Sequence, residues 1–153
     1  MTSLLRIVLP VIFIINTGFS QSDAGKLLGF LAGQANRQQV VTLVDSARGI
    51  ISLEPERGRE IAKQALELSY AIGDDSCAAS ALHEVGKGYY FENDYAGALG
   101  YWLMALNLRE KIGDKSGSVA TMNNIGIAFF EISKYEEALK YYFKALKIKE
   151  VLG

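Results

Sequence analysis

Apolar positions in this chain recur with the period of a helix over most of its length. Leu82, Val85, Gly86 and Tyr89 fall at i, i+3, i+4 and i+7, one face of a 3.6-residue helix, and predict a helix over Ala79–Phe91. Ala98, Leu99, Trp102, Ala105 and Leu106 form a second stripe and predict a helix over Tyr95–Ile112. Between them Glu92-Asn93-Asp94 supplies a turn, with Asn93 or Asp94 placed to cap the second helix by accepting a backbone N–H. Nothing in the chain alternates with the period of two expected of a half-buried strand. The expected fold class is all-α.

The stripes repeat. Ile72-Gly73-Asp74 recurs as Ile112-Gly113-Asp114, Gly86 as Gly126, Ala98-Leu99 as Ala138-Leu139, and Ala105-Leu106 as Ala145-Leu146, always 40 residues on. Self-similarity at such a period marks units that cannot bury an apolar face alone and stack to share a core. Three units are expected over 37–153, at about 37–77, 78–117 and 118–153. The first is degenerate, with Ser46 in place of the glycine, and Gly58 and Ala62 in place of Ala98 and Trp102. Glycine inside a helix costs roughly 1 kcal/mol relative to alanine, so Gly86 needs a reason, and close approach of a neighbouring helix supplies one. Pro55 fits the first turn of its helix, where a missing N–H costs nothing. Residues 21–36, with Leu27, Leu28, Leu31 and Ala32 at helical spacing before a break at Asn36-Arg37, are expected to form a leading helix that covers the open end of the stack.

The first twenty residues differ in kind. One positive charge at Arg6 precedes an apolar run over Ile7–Ile15 and a short polar exit ending at Ser20. This is the layout of a secretory signal peptide over 1–20. A run of about nine residues would reach only about 14 Å as a helix, too little for a bilayer core, so the expectation is export to a periplasmic or extracellular location without a stable membrane span after cleavage. The chain carries 16 basic and 17 acidic residues, and the lysines at 134, 140, 144, 147 and 149 have Glu131, Glu136, Glu137 and Glu150 interleaved with them on the same helices. No basic stripe is available to neutralise a run of phosphates, which argues against nucleic acid as partner. The single cysteine, Cys77, is placed in the turn between the first two units, where it is either buried or free for an intermolecular bridge.

The order Leu82, Val85-Gly86, Tyr89, Ala98, Trp102, Ala105 recurs as Met122, Ile125-Gly126, Phe129, Ala138, Tyr142, Ala145. It resembles the tetratricopeptide repeat. The longer period and the Ile-Gly-Asp turn are similar to the subclass of kinesin light chains and bacterial peptide-sensing regulators. A signal peptide ahead of such repeats is similar to the exported N-terminal region of bacterial sensor histidine kinases. The resemblance implies a right-handed superhelical solenoid of antiparallel helix pairs, whose first helices line a groove for an extended peptide or a partner's helix. Carried over by position, the groove residues are Ser80, His83, Glu84, Lys87 and Tyr90, then Asn123, Asn124, Ile127 and Glu131. Asparagine amides both donate and accept, so they can grip a peptide backbone, and Asn124 within Asn-Asn-Ile-Gly is the first candidate. Lys87 is the residue able to meet a carboxylate, although the full basic set with which relatives clamp a terminal carboxylate is absent.

Catalytic chemistry has little to work with. His83 is the sole histidine and has no cysteine or aspartate at helical spacing to complete a dyad. Gly86-Lys87-Gly88 lacks the spacing and the preceding strand of a phosphate loop. Asp74, Asp75 and Asp114 are placed to cap helices rather than bind a metal, and no cofactor is implied. The expected function is a non-catalytic scaffold that binds a protein or peptide. The alternative is an input region for a histidine kinase or transcriptional regulator. Finally, the outer stripe of the last helix, with Tyr141, Leu146 and Ile148, is expected to face water. A terminal unit normally has a polar exterior, so this points either to further repeats in a longer protein or to self-association through that helix.

Overall fold

The computed structural model describes residues 36–153; the signal segment expected at 1–20 and all but the last residue of the leading helix expected at 21–36 lie outside the described residues. Six helices follow in order: α1 (Arg37–Ile50), α2 (Pro55–Ala71), α3 (Asp75–Phe91), α4 (Tyr95–Lys111), α5 (Lys115–Glu131) and α6 (Tyr135–Leu152), with no strand among the described residues. Each helix packs on its neighbour in sequence, and α1 also packs on α3. The result is an all-α solenoid of helix pairs.

Four of the connections share one design, which explains their spacing. Gly73, Asn93, Gly113 and Ser133 all adopt left-handed backbone, with φ of 67°, 62°, 74° and 61°. At the first, the Gly73 N–H donates to the Tyr70 carbonyl (3.1 Å) and the Asp74 N–H to the Ser69 carbonyl (3.0 Å). At the second, Asn93 donates to Tyr90 and Asp94 to Tyr89, both at 2.9 Å. These paired bonds close the helix end as a Schellman motif. The residue that completes the motif then starts the next helix: Asp74, Asp94 and Asp114 accept from the backbone N–H of Cys77, Gly97 and Gly117. Asp94 is therefore the cap, and Asn93 supplies the left-handed residue. Lys134 holds the fourth such position and makes no side-chain cap.

These caps move two helix starts ahead of the apolar pattern. Helix α3 begins at Asp75 rather than Ala79, because Asp74 caps a polar first turn that hydrophobic periodicity does not register. Cys77 is consequently not in the turn. It sits in the first turn of α3, buried among Val40, Val44, Ala65 and Ala81. Similarly, Asn36, where the leading helix is expected to end, is the cap of the next one, closing a capping box with Gln39 at the head of α1.

The core runs through the stack in overlapping clusters. Val40 and Val44 of α1 meet Ala65 of α2 and Ala81 of α3, and alongside them Ala47, Ala62 and Val85 join the same three helices. Further on, Ala98, Trp102 and Leu106 of α4 meet Met122, Ile125 and Ala128 of α5 and Ala145 of α6. The repeat extends to ring pairs: Tyr89 stacks on Tyr101 at 5.3 Å between centroids, and Phe129 on Tyr141 at 5.6 Å. This corrects the expected outer stripe of α6. Tyr141 and Ile148, seven residues apart on one side of the helix, pack toward α5, and of the three named residues only Leu146 is exposed.

Candidate functional site

Helices α3 and α5 carry all nine groove candidates, and His83 joins the two. Its Nε2 lies 3.1 Å from Asn124 Nδ2 and its Nδ1 3.2 Å from Thr121 Oγ1. Thr121 Oγ1 in turn accepts from the Arg109 guanidinium at 2.7 Å and donates to the Gly117 carbonyl at 3.0 Å. With the Asn124 amide nitrogen donating to Nε2, the ring proton belongs on Nδ1, and every contact in the relay then has one donor and one acceptor. Burial first, then the charges of Arg109, Lys87 and Arg48, lower the His83 pKa to about 3, so the imidazole is neutral in the fold. A neutral ring is what accepting from Asn124 requires.

Glu84 is also turned away from solvent. The side chain is 2% exposed as a residue, with Oε1 accepting from Arg48 Nε at 2.9 Å. Lys87 Nζ lies 3.0 Å from Oε2, an ion-pair distance outside hydrogen-bond geometry. The carboxylate links α1 to α3 and lies against Lys87. Arg109, 8% exposed, reaches Asp114 Oδ2 at 3.7 Å through a Nε that has no hydrogen-bond partner among the described residues.

Four of the nine residues converge. Lys87, Tyr90, Asn124 and Ile127, with Phe91 and Trp102, line a pocket of about 120 Å³ between α3 and α5. Tyr90 is held there by Trp102 and Tyr95, with ring centroids 5.8 and 5.7 Å away. Burial and then the Glu131 carboxylate raise its phenol above the ordinary value, so it stays protonated as a donor. The pocket thus offers one ammonium, one phenol and one amide over an apolar floor. Asn123 and Glu131 are exposed on α5 outside it. Ser80 donates to the Ser76 carbonyl at 3.1 Å and lines a different pocket of about 200 Å³ against α1, with Arg37 and Arg48 at its edges. Among the described residues no group of acidic, histidine and cysteine side chains could hold a metal, and no helix is long and apolar enough to cross a membrane.

Sequence reasoning missed Arg48, Thr121 and Arg109, which position the candidates. For Arg48 and Thr121 a signal existed in the repeat period. Arg48 and Glu84 are 36 residues apart, His83 and Thr121 38, and His83 and Asn124 41. Polar partners one period apart are the pairs that stacked units bring together.

With this geometry in place, comparison identifies the architecture. The crystal structure of the TPR domain of Arabidopsis FLU matches with a TM-score of 0.70 at 22% identity, covering 75% of this chain and 98% of that one. The described chain has the tetratricopeptide-repeat fold. The tetratricopeptide repeat family also matches directly in sequence, over residues 77–150, the span of the two close units and of the pocket between them. No curated protein matches. The tetratricopeptide repeat is in general a protein-interaction scaffold, and the repeats here hold His83, Asn124 and Lys87 in fixed register.

Proposed function

We propose that this chain is an exported, non-catalytic scaffold that holds an extended peptide along α3 and α5. The observation that carries this reading is the pocket lined by Lys87, Tyr90, Asn124 and Ile127, four residues drawn from two successive repeats. Its apolar floor suits one peptide side chain. Asn124 donates through Nδ2 to His83, leaving Oδ1 as the acceptor for a peptide N–H, and Lys87 meets an acidic neighbour. Export rests on the charged start and apolar run of residues 1–20.

The test is fluorescence anisotropy with a library of labelled, end-capped decapeptides. Binders should weaken about fivefold or more with Asn124→Ala, the loss of roughly one hydrogen bond. Asn124 also supports His83, so Ile127→Lys is the companion variant: it loads the pocket with charge from an already exposed position. Binding indifferent to both variants, or no binder in the library, overturns the reading.

A further inference from the structure

The last helix presents an apolar stripe that no described residue covers. Tyr135, Leu139, Phe143 and Leu146 lie at i, i+4, i+8 and i+11 on one face of α6. Phe143 is 65% exposed, Leu139 53% and Leu146 49%. One period earlier Leu103, the counterpart of Phe143, is itself 41% exposed, but two of the positions on α4 are covered. Leu106, counterpart of Leu146, is 7% exposed, and Leu99, counterpart of Leu139, packs on the cluster containing Met122 and Ile125. What closes them is α5, which turns back on α4 through a short connection and so runs antiparallel to it. Leu139 and Leu146 thus hold positions that, elsewhere in this stack, receive one antiparallel helix.

We propose that the helix it receives is α6 of a second copy of this chain. The charges beside the stripe select both partner and direction. The first turn of α6 carries Glu136 and Glu137, whereas its second half carries Lys144, Lys147 and Lys149 against the one carboxylate of Glu150. Glu136 and Lys147 lie on the same edge of the stripe, three helical turns apart. When Leu139 is set against Phe143 of the second copy, antiparallel, Glu136 comes opposite Lys147 of that copy, and the two-fold axis makes the pair twice. A parallel pairing in register sets acidic end beside acidic end and basic half beside basic half, and brings Glu136 no lysine. The contact is isologous, so it closes at two chains and leaves no free copy of the stripe.

The test is sedimentation of the full 153-residue chain through the micromolar range. The expected mass rises from one chain to two and stops. Phe143→Glu, at an exposed position that leaves the helical circular dichroism unchanged, should abolish the rise. Lys147→Glu should weaken the dimer several-fold, and Glu136→Lys combined with Lys147→Glu should restore it. A monomer at every concentration overturns the proposal, as does growth past two chains without a plateau. So does a dimer indifferent to Phe143→Glu, or a double reversal no better than the single. Peptide binding at Lys87 and Asn124 lies on other helices, so its success or failure is read independently.

Discussion

Gly86 and Trp102 form one packing element divided between two helices. A Cβ on Gly86 would lie 2.5 Å from both Cδ1 and Nε1 of the indole, whose N–H donates to the His83 carbonyl at 3.0 Å. The aromatic ring lies flat against bare backbone, and that lets α3 and α4 approach. Gly126 and Tyr142 repeat the arrangement in the next unit, with Cε1 of the ring 2.5 Å from the Cβ that Gly126 lacks. In the first unit Ser46 and Ala62 replace both members together, so neither the ring nor the gap is present.

Gly86→Ala should therefore destabilise the chain by about 1–3 kcal/mol, although helix propensity alone would favour alanine. Trp102 is 2% exposed and has nowhere to move, whereas Tyr142 is half-buried and can swing outward. Gly126→Ala should accordingly cost less. Urea unfolding of the two variants checks the order, and a larger loss at Gly126 would refute this account of the fit.

Stability should begin to fall as the pH drops below about 6.5. His83 is lowered to about 3 in the fold against an ordinary 6.5, so the unfolded chain takes up a proton that the folded chain refuses. Its contribution is constant above about pH 6.5 and declines as the pH falls toward the folded value, by at most about 1.4 kcal/mol per pH unit. Asp74, held below its ordinary 3.8 chiefly by the Cys77 N–H, adds its own loss only at lower pH. His83→Gln should flatten the stability profile between about pH 6.5 and about pH 4 in urea titrations. An unchanged slope in that variant would assign the effect elsewhere.

Lys134 occupies the one position of its kind without a capping side chain, where Asp74, Asp94 and Asp114 stand in the equivalent turns. Lys134→Asp should raise stability by about 0.5–1 kcal/mol, by satisfying an N–H in the first turn of α6. Lys134→Ala, which adds no acceptor, should not. Thermal melts of the pair separate a capping effect from simple removal of a lysine.

Cys77 should behave as a small core residue rather than a reactive thiol. It is 4% exposed, and burial, then the Asp74 carboxylate, raise its pKa further from the thiolate. Native protein should react with Ellman's reagent at least about tenfold more slowly than the urea-unfolded chain. Equal rates would mean that the first turn of α3 opens readily.

The helix pairs were legible because their cause is local. Apolar spacing, the glycines that permit contact with Trp102 and Tyr142, and the recurring left-handed turns are all carried by residues near one another in the chain. The polar first turns were less legible: the starts at Arg37 and Asp75 depend on side-chain acceptors at Asn36 and Asp74 that add nothing to hydrophobic periodicity. The candidate site was legible in part. Lys87, Tyr90, Asn124 and Ile127 do line one pocket. Glu84 and His83 share their helix face by spacing, yet one is bound to Arg48 and the other to Thr121 and Asn124.

By itself, then, the sequence determined the all-α class, the stacking of helical units and the small-against-aromatic fit within the second and third pairs, since these follow from apolar patterns within a helix and their recurrence 40 residues on. Only the tertiary structure decided which polar side chains face a ligand and which join successive units. A helix face has no fixed exposure of its own; its surroundings are set by residues a full period away, and the balance between solvation and pairing at Glu84 or His83 is struck only when those residues arrive.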